Sequence, residues 1–253
     1  MKTVLMKNVE FGAGIPKICI PIVGKNKKEI MEQAVGVSQT PLDIVEWRMD
    51  WFEHVEDVQA LKEIAKQLRE VFVDTPILAT FRSKKEGGEK EISNEKYVEI
   101  NVEIAKSGYV DAIDVELFTG DQEVTTIVEK AHEVGVKVVM SNHDFDKTPS
   151  YDEIISRLRF MQEKNADIPK IAVMPKNTSD VLTLLQATND MYIKYADRPI
   201  ITMSMAGTGV ISRLCGEVFG SCLTFGAYKK ASAPGQMNVE DLKMVLTTLH
   251  NSL

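Results

Sequence analysis

The alternation of short apolar runs with helical stretches constrains the fold of this chain more than any other feature. Between the apolar runs lie stretches with helical periodicity, such as Val58 to Val71, Glu123 to Val134, Tyr151 to Glu163 and Val181 to Tyr195. Eight runs rich in β-branched residues follow one another: KICIPIVG, LDIVEWRMD, PILATFRS, VDAIDVEL, VKVVMSNHD, PKIAVMP, PIITMSM and GSCLTFGA. Eight strand–helix units in 253 residues predict an α/β chain folded as a (β/α)₈ TIM barrel.

A doubly wound open sheet is the main rival to the barrel. Against it, no GxGxxG motif follows the first run, and eight strands suit closure better than an open sheet. The last predicted helix, Val239 to Leu249, ends almost with the chain, and no Pro-rich or Ser-rich linker divides the sequence. We therefore expect one barrel domain over residues 1–253, with residues 1–14 forming a small hairpin that closes the barrel floor.

Charge and composition exclude several classes of partner. The formal net charge is −7 and no basic tract is present, which argues against a nucleic-acid surface or an anionic membrane partner. No apolar run approaches membrane-spanning length, and the first residues lack a signal-peptide pattern, so the expected location is the cytoplasm. The three scattered cysteines, Cys19, Cys215 and Cys222, indicate neither a disulfide framework nor a zinc site.

Polar residues occur at alternate positions of strands that should be apolar. Because strand side chains alternate with period 2, the members of each pair share a face. Any one of them can be a solvated strand end, but charges that converge from several strands are typical of a barrel mouth, where active sites lie. The residues are Glu46 with Arg48, Thr80 with Arg82, Asp114 with Glu116, Ser141 with His143, Thr202 with Ser204, and Lys170.

Four segments offer candidate functional residues. His143 ends a strand at the expected rim and is a candidate general acid or base, because imidazole titrates near neutral pH. Glu86 lies in RSKKEGGE, whose two glycines permit a backbone that turns the carboxylate toward the mouth, where it could orient an imidazole. Arg213 either grips a substrate carboxylate or lies on a helix surface. The loop KKASAPGQ, with Ser232 and Gln236, suits a mobile lid or a simple turn.

The ordered motifs resemble those of type I 3-dehydroquinate dehydratases over essentially the whole chain. The motifs are EWRMD, TFRS, EGGE, DVEL, VVMSNHDF, IPKIAVMP, ITMSM, GVISRLCGEVFGS and SAPGQ. This resemblance implies a homodimeric (β/α)₈ lyase of the shikimate pathway, which serves aromatic amino acid biosynthesis. It also implies conversion of 3-dehydroquinate to 3-dehydroshikimate without a metal or an organic cofactor.

The resemblance also implies roles for individual residues. Lys170 would form the Schiff base, His143 would transfer protons, and Glu86 would orient His143. Arg213 would bind the substrate carboxylate. The other implied substrate-binding residues are Glu46, Arg48, Arg82, Ser232 and Gln236, with Met203 and Met205 packed against the ring. The chain departs from the pattern at Pro21, where some relatives have serine.

The position of Lys170 raises its own question, because barrel catalytic groups lie at strand C-termini and this lysine opens an apolar run. Alternation puts Lys170, Ala172 and Met174 on one face, and small Ala172 leaves room for the lysine stem. We therefore expect the amine to project upward from deep inside the barrel. Burial and nearby arginines, namely Arg48, Arg82 or Arg213, would favour the free amine that attacks a ketone.

Two alternative functions stay open on the residues alone. A class I aldolase acting on a hydroxy-acid or sugar would also use a barrel lysine and an imine. Its substrates are often phosphorylated, and the dispersed Gly207, Gly209 and Gly216 do not form a phosphate cradle. A non-catalytic barrel that binds a hydroxy-acid would not need a nucleophilic lysine together with a histidine and a carboxylate.

Overall fold

The computed structural model describes residues 3–229 and 234–253. Two strands, β1 (Val4–Met6) and β2 (Val9–Phe11), form an antiparallel hairpin, which confirms the predicted N-terminal hairpin. The other strands are parallel: β3 (Lys17–Ile22), β4 (Ile44–Arg48), β5 (Ile77–Thr80), β6 (Ala112–Glu116), β7 (Lys137–Asp144), β8 (Ile168–Val173), β9 (Ile201–Ser204), β10 (Leu223–Ala227) and β11 (Met237–Asn238).

Helices connect the parallel strands. They are α1 (Lys27–Val37), α2 (Val58–Val71), α3 (Asn94–Ala105), α4 (Asp121–Glu133), α5 (Tyr151–Glu163), α6 (Thr178–Asp190), α7 (Val210–Leu214), α8 (Gly216–Phe219) and α9 (Val239–His250). The predicted bounds of α2 and α5 are confirmed, whereas α6 ends at Asp190. The chain continues as a π-helix over Met191–Tyr195, a stretch that keeps helical periodicity and therefore looks like α-helix in the sequence.

The parallel strands close into the predicted barrel. Strands pair in the order β11-β10-β3-β4-β5-β6-β7-β8-β9, so β10 and β9 flank the seam. A parallel bridge between Ile200 and Ser221 joins the two sides of that seam, where the Cys222 amide donates to the Ile200 carbonyl at 2.9 Å. The eight strands β3 to β10 therefore form the barrel wall, and the prediction of a TIM barrel is confirmed.

Strand alternation separates two apolar layers. One face of each strand packs outward against the helices, as Ile18, Ile20 and Ile22 of β3 do. The opposite face fills the lower barrel with a second cluster, which includes the hairpin residues Val4, Met6 and Phe11 and the strand residues Cys19, Ile44, Leu78, Ala112, Val139, Ile168 and Leu223. These contacts support the hairpin as the closure of the barrel floor, which stays a prediction, as does a single domain over residues 1–253.

Four similar hydrogen bonds lie at the floor of the barrel. Just before every second strand of the barrel, a side-chain oxygen accepts a hydrogen bond from a backbone amide of the preceding strand. These bonds fix the register of the strand pairs β3–β4, β5–β6, β7–β8 and β9–β10. The bonds are Ile18 to Asp43 at 2.7 Å, Ile77 to Asp111 at 2.8 Å, Val138 to Asp167 at 2.8 Å and Thr202 to Ser221 at 3.0 Å. Three of the four acceptors are aspartates that directly precede their strand, and the fourth is a serine; the hydrogen bonds themselves are visible only in the structure.

Asp167 is one of these four acceptors, and its pKa is shifted by its surroundings. Burial alone would raise the pKa of Asp167, but hydrogen bonds from His132 and the Val138 amide, and the charge of Lys137, outweigh burial and hold the pKa below its ordinary value. A depressed carboxylate pKa means stability that is present above the ordinary pKa of 3.8 and is lost as the pH falls through the lower folded-state value.

We expect Asp167→Asn to lower the free energy of unfolding at pH 7 by about 1–3 kcal/mol, the cost of losing hydrogen bonds to a charged group. The difference from the unchanged protein should narrow as the pH falls below about 3.8. Urea unfolding at pH 7 and pH 2.5 measures both effects, with exposed Asp74→Asn as the matched control. An equal loss for both variants at pH 7 would contradict this role.

Candidate active site

A cavity of about 200 Å³ opens at the C-terminal ends of the barrel strands. Its size suits a small metabolite rather than a large cofactor. It contains ten of the residues predicted for the site: Glu46, Arg48, Arg82, Glu86, His143, Lys170, Met203, Met205, Arg213 and Gln236. The remaining predicted residue, Ser232, lies outside the described residues. Gly87, Phe145, Ala172, Phe225 and Pro234 complete the lining.

The expectation that Thr202 and Ser204 face the mouth is wrong. Met203 and Met205 of the same segment line the cavity, so alternation turns Thr202 and Ser204 to the outer face. There the Thr202 hydroxyl lies 2.7 Å from that of Thr188, and the Ser204 amide donates to Ser212 at 2.8 Å. The polar residues of this strand therefore hydrogen-bond to α6 and α7 and do not line the cavity.

Lys170 carries a buried amine inside the barrel. It is the third residue of β8, and the side chain is 3% exposed. Its Nζ lies 3.3 Å from Asp114 Oδ2, 3.9 Å from Glu46 Oε1 and 4.8 Å from the centre of the Phe225 ring. The expected direction of the side chain is thus what the structure has, but the charged groups in contact with the amine are carboxylates and not the expected arginines.

Asp114 lies at the centre of this network. It is one of the polar strand residues that alternation places at the mouth, although the resemblance gives it no role. Its Oδ1 contacts Arg82 Nη2 at 2.7 Å and accepts from the Ser141 hydroxyl at 2.6 Å. Burial would raise the pKa of Asp114, but the charges of Arg82 and Lys170 and the hydrogen bonds lower it overall, so the group stays a carboxylate. Arg82 also contacts Glu116 at 2.8 Å, which fixes its guanidinium across the barrel.

Asp50 connects Arg48, the last residue of β4, to the EGGE loop that follows β5. Its two carboxylate oxygens accept from Nε and Nη2 of Arg48, each at 2.8 Å, in a bidentate pair. The same carboxylate accepts from the Glu89 amide at 3.1 Å. Asp50 is fully buried and follows the strand in a 3₁₀ turn, so strand periodicity gives no signal for it.

The EGGE loop turns Glu86 back over the barrel, as its glycines predict. Gly87 adopts a left-handed conformation with φ of 84°, which side chains rarely tolerate. A Cβ at Gly88 would lie 1.8 Å from the Arg82 carbonyl oxygen, so only glycine allows this close approach. The Glu86 side chain is consequently buried against β7 instead of facing solvent.

Glu86 accepts hydrogen bonds from two consecutive residues of β7. Its Oε2 lies 2.9 Å from both the amide and Nδ1 of His143, and its Oε1 accepts from Asn142 Nδ2 at 3.1 Å. Arg82 Nη1 is 3.6 Å from Oε2. The contact to Nδ1 orients the imidazole and leaves its Nε2 for the cavity.

Burial is the largest influence on the titration of this pair. With the charge of Glu116, it raises the pKa of Glu86 to about 8, despite the opposing effects of Arg82 and Asn142. Burial and the charges of Arg82, Lys170 and Arg48 lower the pKa of His143 well below its ordinary value. Above about pH 8 Glu86 is therefore a carboxylate, and the proton of the neutral His143 ring then lies on Nδ1, where it is donated to Glu86.

Arg213 supplies a cation at the rim. Its side chain is buried, and burial lowers its pKa to about 10, so it stays charged at neutral pH. Nη2 donates to the Pro234 carbonyl at 3.1 Å and Nη1 contacts the Met203 sulfur at 3.5 Å. Within the described residues it forms no salt bridge and its Nε has no partner, so it is suited to an anionic group of a ligand.

The three other histidines lie away from the cavity. His54 is exposed, His132 pairs with Asp167 at the floor, and His250 pairs with Glu217 at 2.7 Å. Over residues 3–229 and 234–253, no group of three or more His, Cys, Asp or Glu side chains is placed to hold a metal ion. In the same part of the chain, no helix is both long and apolar enough to cross a membrane.

Comparisons with known proteins point to one family. The family model described as type I 3-dehydroquinase matches residues 18–253. A 3-dehydroquinate dehydratase of Clostridioides difficile (strain 630) is 57% identical, with 100% of this chain and 99% of the relative covered. The crystal structure of the type I enzyme from Clostridium difficile with covalently modified comenic acid superposes with a TM-score of 0.98 at 57% identity, covering 100% and 99% of the two chains.

A more distant solved structure leads to the same assignment. The 3-dehydroquinate dehydratase of Enterococcus faecalis is 45% identical, with a TM-score of 0.91 and 97% and 98% of the two chains covered. The match extends over the strands, the loops that carry the site and the connecting helices. The chain belongs to the type I 3-dehydroquinase family.

Proposed function

We propose that this chain dehydrates 3-dehydroquinate to 3-dehydroshikimate through a Schiff base on Lys170, with His143 as general base and acid. The observation that carries the proposal is a buried primary amine in the same cavity as a histidine oriented by a carboxylate. Family membership supports the substrate, because the relatives at 56–57% identity are 3-dehydroquinate dehydratases.

Imine formation is the first proposed step. Nζ of Lys170, as the free amine, forms a bond to the ketone carbon, and the resulting carbinolamine takes up one proton from water, which the final hydrolysis returns, and loses its oxygen as water. The product is a protonated imine that withdraws electrons from the neighbouring C–H bond. Asp114 and Glu46, both in contact with Nζ, are placed to balance the positive charge of that imine.

Elimination is the second proposed step. His143 takes a proton from the carbon next to the imine. The C–H electron pair forms a C=C bond while the C=N pair moves to nitrogen, which gives an enamine. The enamine then expels the hydroxyl from the adjacent carbon, and the imidazolium protonates it as it leaves as water on the same face of the ring, a syn elimination. Hydrolysis of the imine by one water releases the enone and restores Lys170. The net change is the loss of one water.

The Clostridium difficile relative supports a covalent mechanism, because its crystal structure contains covalently modified comenic acid. By extension, this chain is proposed to bind acidic ring compounds covalently. The remaining predicted contacts follow the lining of the cavity: Glu46, Arg48, Arg82 and Gln236 with substrate hydroxyls, and Met203 and Met205 with the ring face. Arg213 is proposed to bind the substrate carboxylate.

One experiment separates this function from an aldolase and from a binding protein. The protein is incubated with 3-dehydroquinate and borohydride, its mass is measured, and the ultraviolet absorbance of the conjugated product is followed in a parallel sample. We expect both a reduced adduct and the enone. An adduct without enone would favour another imine chemistry, such as that of an aldolase, and neither signal would favour a hydroxy-acid-binding barrel.

We expect Arg213→Met to raise KM by about 10- to 100-fold, the equivalent of one lost hydrogen-bonded charge pair, while kcat changes much less. Arg213 is remote from the proton transfers and is proposed to hold substrate and transition state alike. Steady-state kinetics with 3-dehydroquinate measure the split, and Arg213→Lys should recover part of the affinity. A fall in kcat at unchanged KM would contradict a carboxylate-binding role.

Three further proposals concern the whole molecule rather than the cavity. The chain is proposed to act in the cytoplasm, to form a homodimer and to fold as one domain over residues 1–253. Light scattering at micromolar concentration tests the dimer, since a molecule of single-chain mass would contradict it.

A further inference from the structure

Asn142 lies outside the cavity but touches a residue inside it. In β7 it alternates with Ser141 and His143, so its side chain faces α5 and not the barrel interior. It is 5% exposed, and its Nδ2 donates to Glu86 Oε1 at 3.1 Å. Asn142 therefore donates to one carboxylate oxygen of Glu86, while His143 contacts the other.

Arg157 of α5 determines which way the Asn142 amide points. Its Nη1 donates to Asn142 Oδ1 at 2.6 Å. An arginine can only donate hydrogen bonds, so the amide oxygen must face Arg157 and the NH₂ group must face Glu86. Without the arginine, the amide would be free to rotate and present its oxygen to the carboxylate.

Arg157 is itself held in place by two contacts. Its Nη2 pairs with Glu153 one turn earlier on α5, and its guanidinium lies 5.5 Å from the centre of the Phe118 ring. The side chain is only 17% exposed. The guanidinium is therefore a fixed donor on the outer surface of the barrel wall.

We propose that Arg157 is a positioning residue that acts through Asn142 to keep Glu86 as the hydrogen-bond acceptor of His143 Nδ1, which leaves Nε2 free to take a proton. The consequence is chemical: if Glu86 donated to Nδ1 instead, the ring proton would lie on Nε2 and His143 could not act as base. This proposal rests on the proposed role of His143 in the dehydration.

The charges around Glu86 set the expected effect of pH. Arg82 and Asn142 favour its carboxylate form, whereas Glu116 and Asp114 oppose it. The His143 ring lies 2.9 Å from its Oε2. Glu153 is the charged neighbour of Arg157. Loss of the Asn142 donor should therefore raise the pKa of Glu86 further, so that the acid limb of kcat/KM moves to higher pH.

The test uses Arg157→Met, which keeps the apolar stem and removes the donors. We expect kcat to fall about 10-fold, the scale of lost outer partners of a catalytic group, with KM changed by less than about 2-fold. Arg157→Lys, which retains one donor and the charge, should recover most of kcat. Arg159→Met removes an exposed arginine of the same helix and should leave both constants and the pH profile unchanged.

Two measurements distinguish positioning from general damage. Asn142→Ala should reproduce the effect of Arg157→Met, and the double variant should be no slower than Asn142→Ala alone, because both act on one contact. Nitrogen NMR of the His143 ring above pH 8.5 should show the proton on Nδ1 in the unchanged protein and a mixture of tautomers in Arg157→Met. Additive losses, or an unchanged tautomer with an unmoved acid limb, would overturn the proposal.

The NMR measurement also separates this proposal from the proposed function, since it needs no substrate. A protein without dehydratase activity but with an Arg157-dependent tautomer would disprove the function and keep the positioning role. An active protein with the same tautomer in every variant would disprove the positioning role and keep the proposed function.

Discussion

Lys170→Met is expected to lower kcat for the dehydration of 3-dehydroquinate by more than about 10⁴-fold, the scale of removing an enzyme nucleophile. Methionine is unbranched like lysine, so it can fill the space beside Ala172 and Phe225 but cannot form an imine. Initial rates of enone formation measure the loss, and the borohydride adduct should disappear. Turnover within 100-fold of the unchanged protein would show that the amine is not the nucleophile.

The fold should survive this change, because the carboxylates around the amine keep other partners. Asp114 retains Arg82 and Ser141, and Glu46 retains the hydrogen bond from Thr80 at 3.0 Å. Circular dichroism checks the fold, and Lys176→Met, which removes an exposed lysine just after β8, is the matched control.

Chemical rescue strengthens the test. Lys170→Cys treated with bromoethylamine gains a thioether side chain that ends in an amine at nearly the lysine length. Activity restored by this treatment would come from the amine itself. The unchanged protein is treated in parallel to measure any effect of alkylating the native cysteines. Of these, Cys19 and Cys222 are buried and Cys215 is partly buried.

Strand pattern predicted the architecture and several of the residues that line the cavity. Eight apolar runs separated by helical periodicity are sufficient for a closed parallel sheet, and period-2 alternation placed Glu46 with Arg48, and Lys170 with Ala172, on the cavity side. The same rule, applied to polarity alone, wrongly put Thr202 and Ser204 there. A short polar side chain on a strand can hydrogen-bond to a packed helix as well as face an active site.

The roles that the sequence could not assign depend on contacts between distant segments. Asp50 joins Arg48 to the EGGE loop, and Asp114 joins Arg82 to the amine. Arg157 reaches Asn142 from a helix that looks amphipathic and ordinary in the sequence. Phe225 is a similar case, since an aromatic residue in a barrel strand indicates core until the lysine is seen beside it. Such pairings depend on tertiary geometry and leave no local pattern.

His143→Ala is expected to lower kcat by about 10⁴-fold, the upper range for general acid–base catalysis, because one imidazole is proposed to serve both proton transfers. Lys170 is unchanged in this variant, so the imine should still form and the borohydride adduct should still appear by mass. His132→Ala, which removes a histidine of the barrel floor, is the control and should keep its turnover. Wild-type turnover by His143→Ala would show that the assignment is wrong.

The two large effects together order the steps of the reaction. If imine formation precedes elimination, Lys170→Met loses both the adduct and the enone, whereas His143→Ala loses the enone and accumulates the adduct. Added imidazole should restore part of the activity of His143→Ala, since the cavity then has space beside Glu86 for a free base, and it should do nothing for Lys170→Met. Loss of the adduct in His143→Ala as well would place the histidine in imine formation and would contradict its proposed restriction to the elimination.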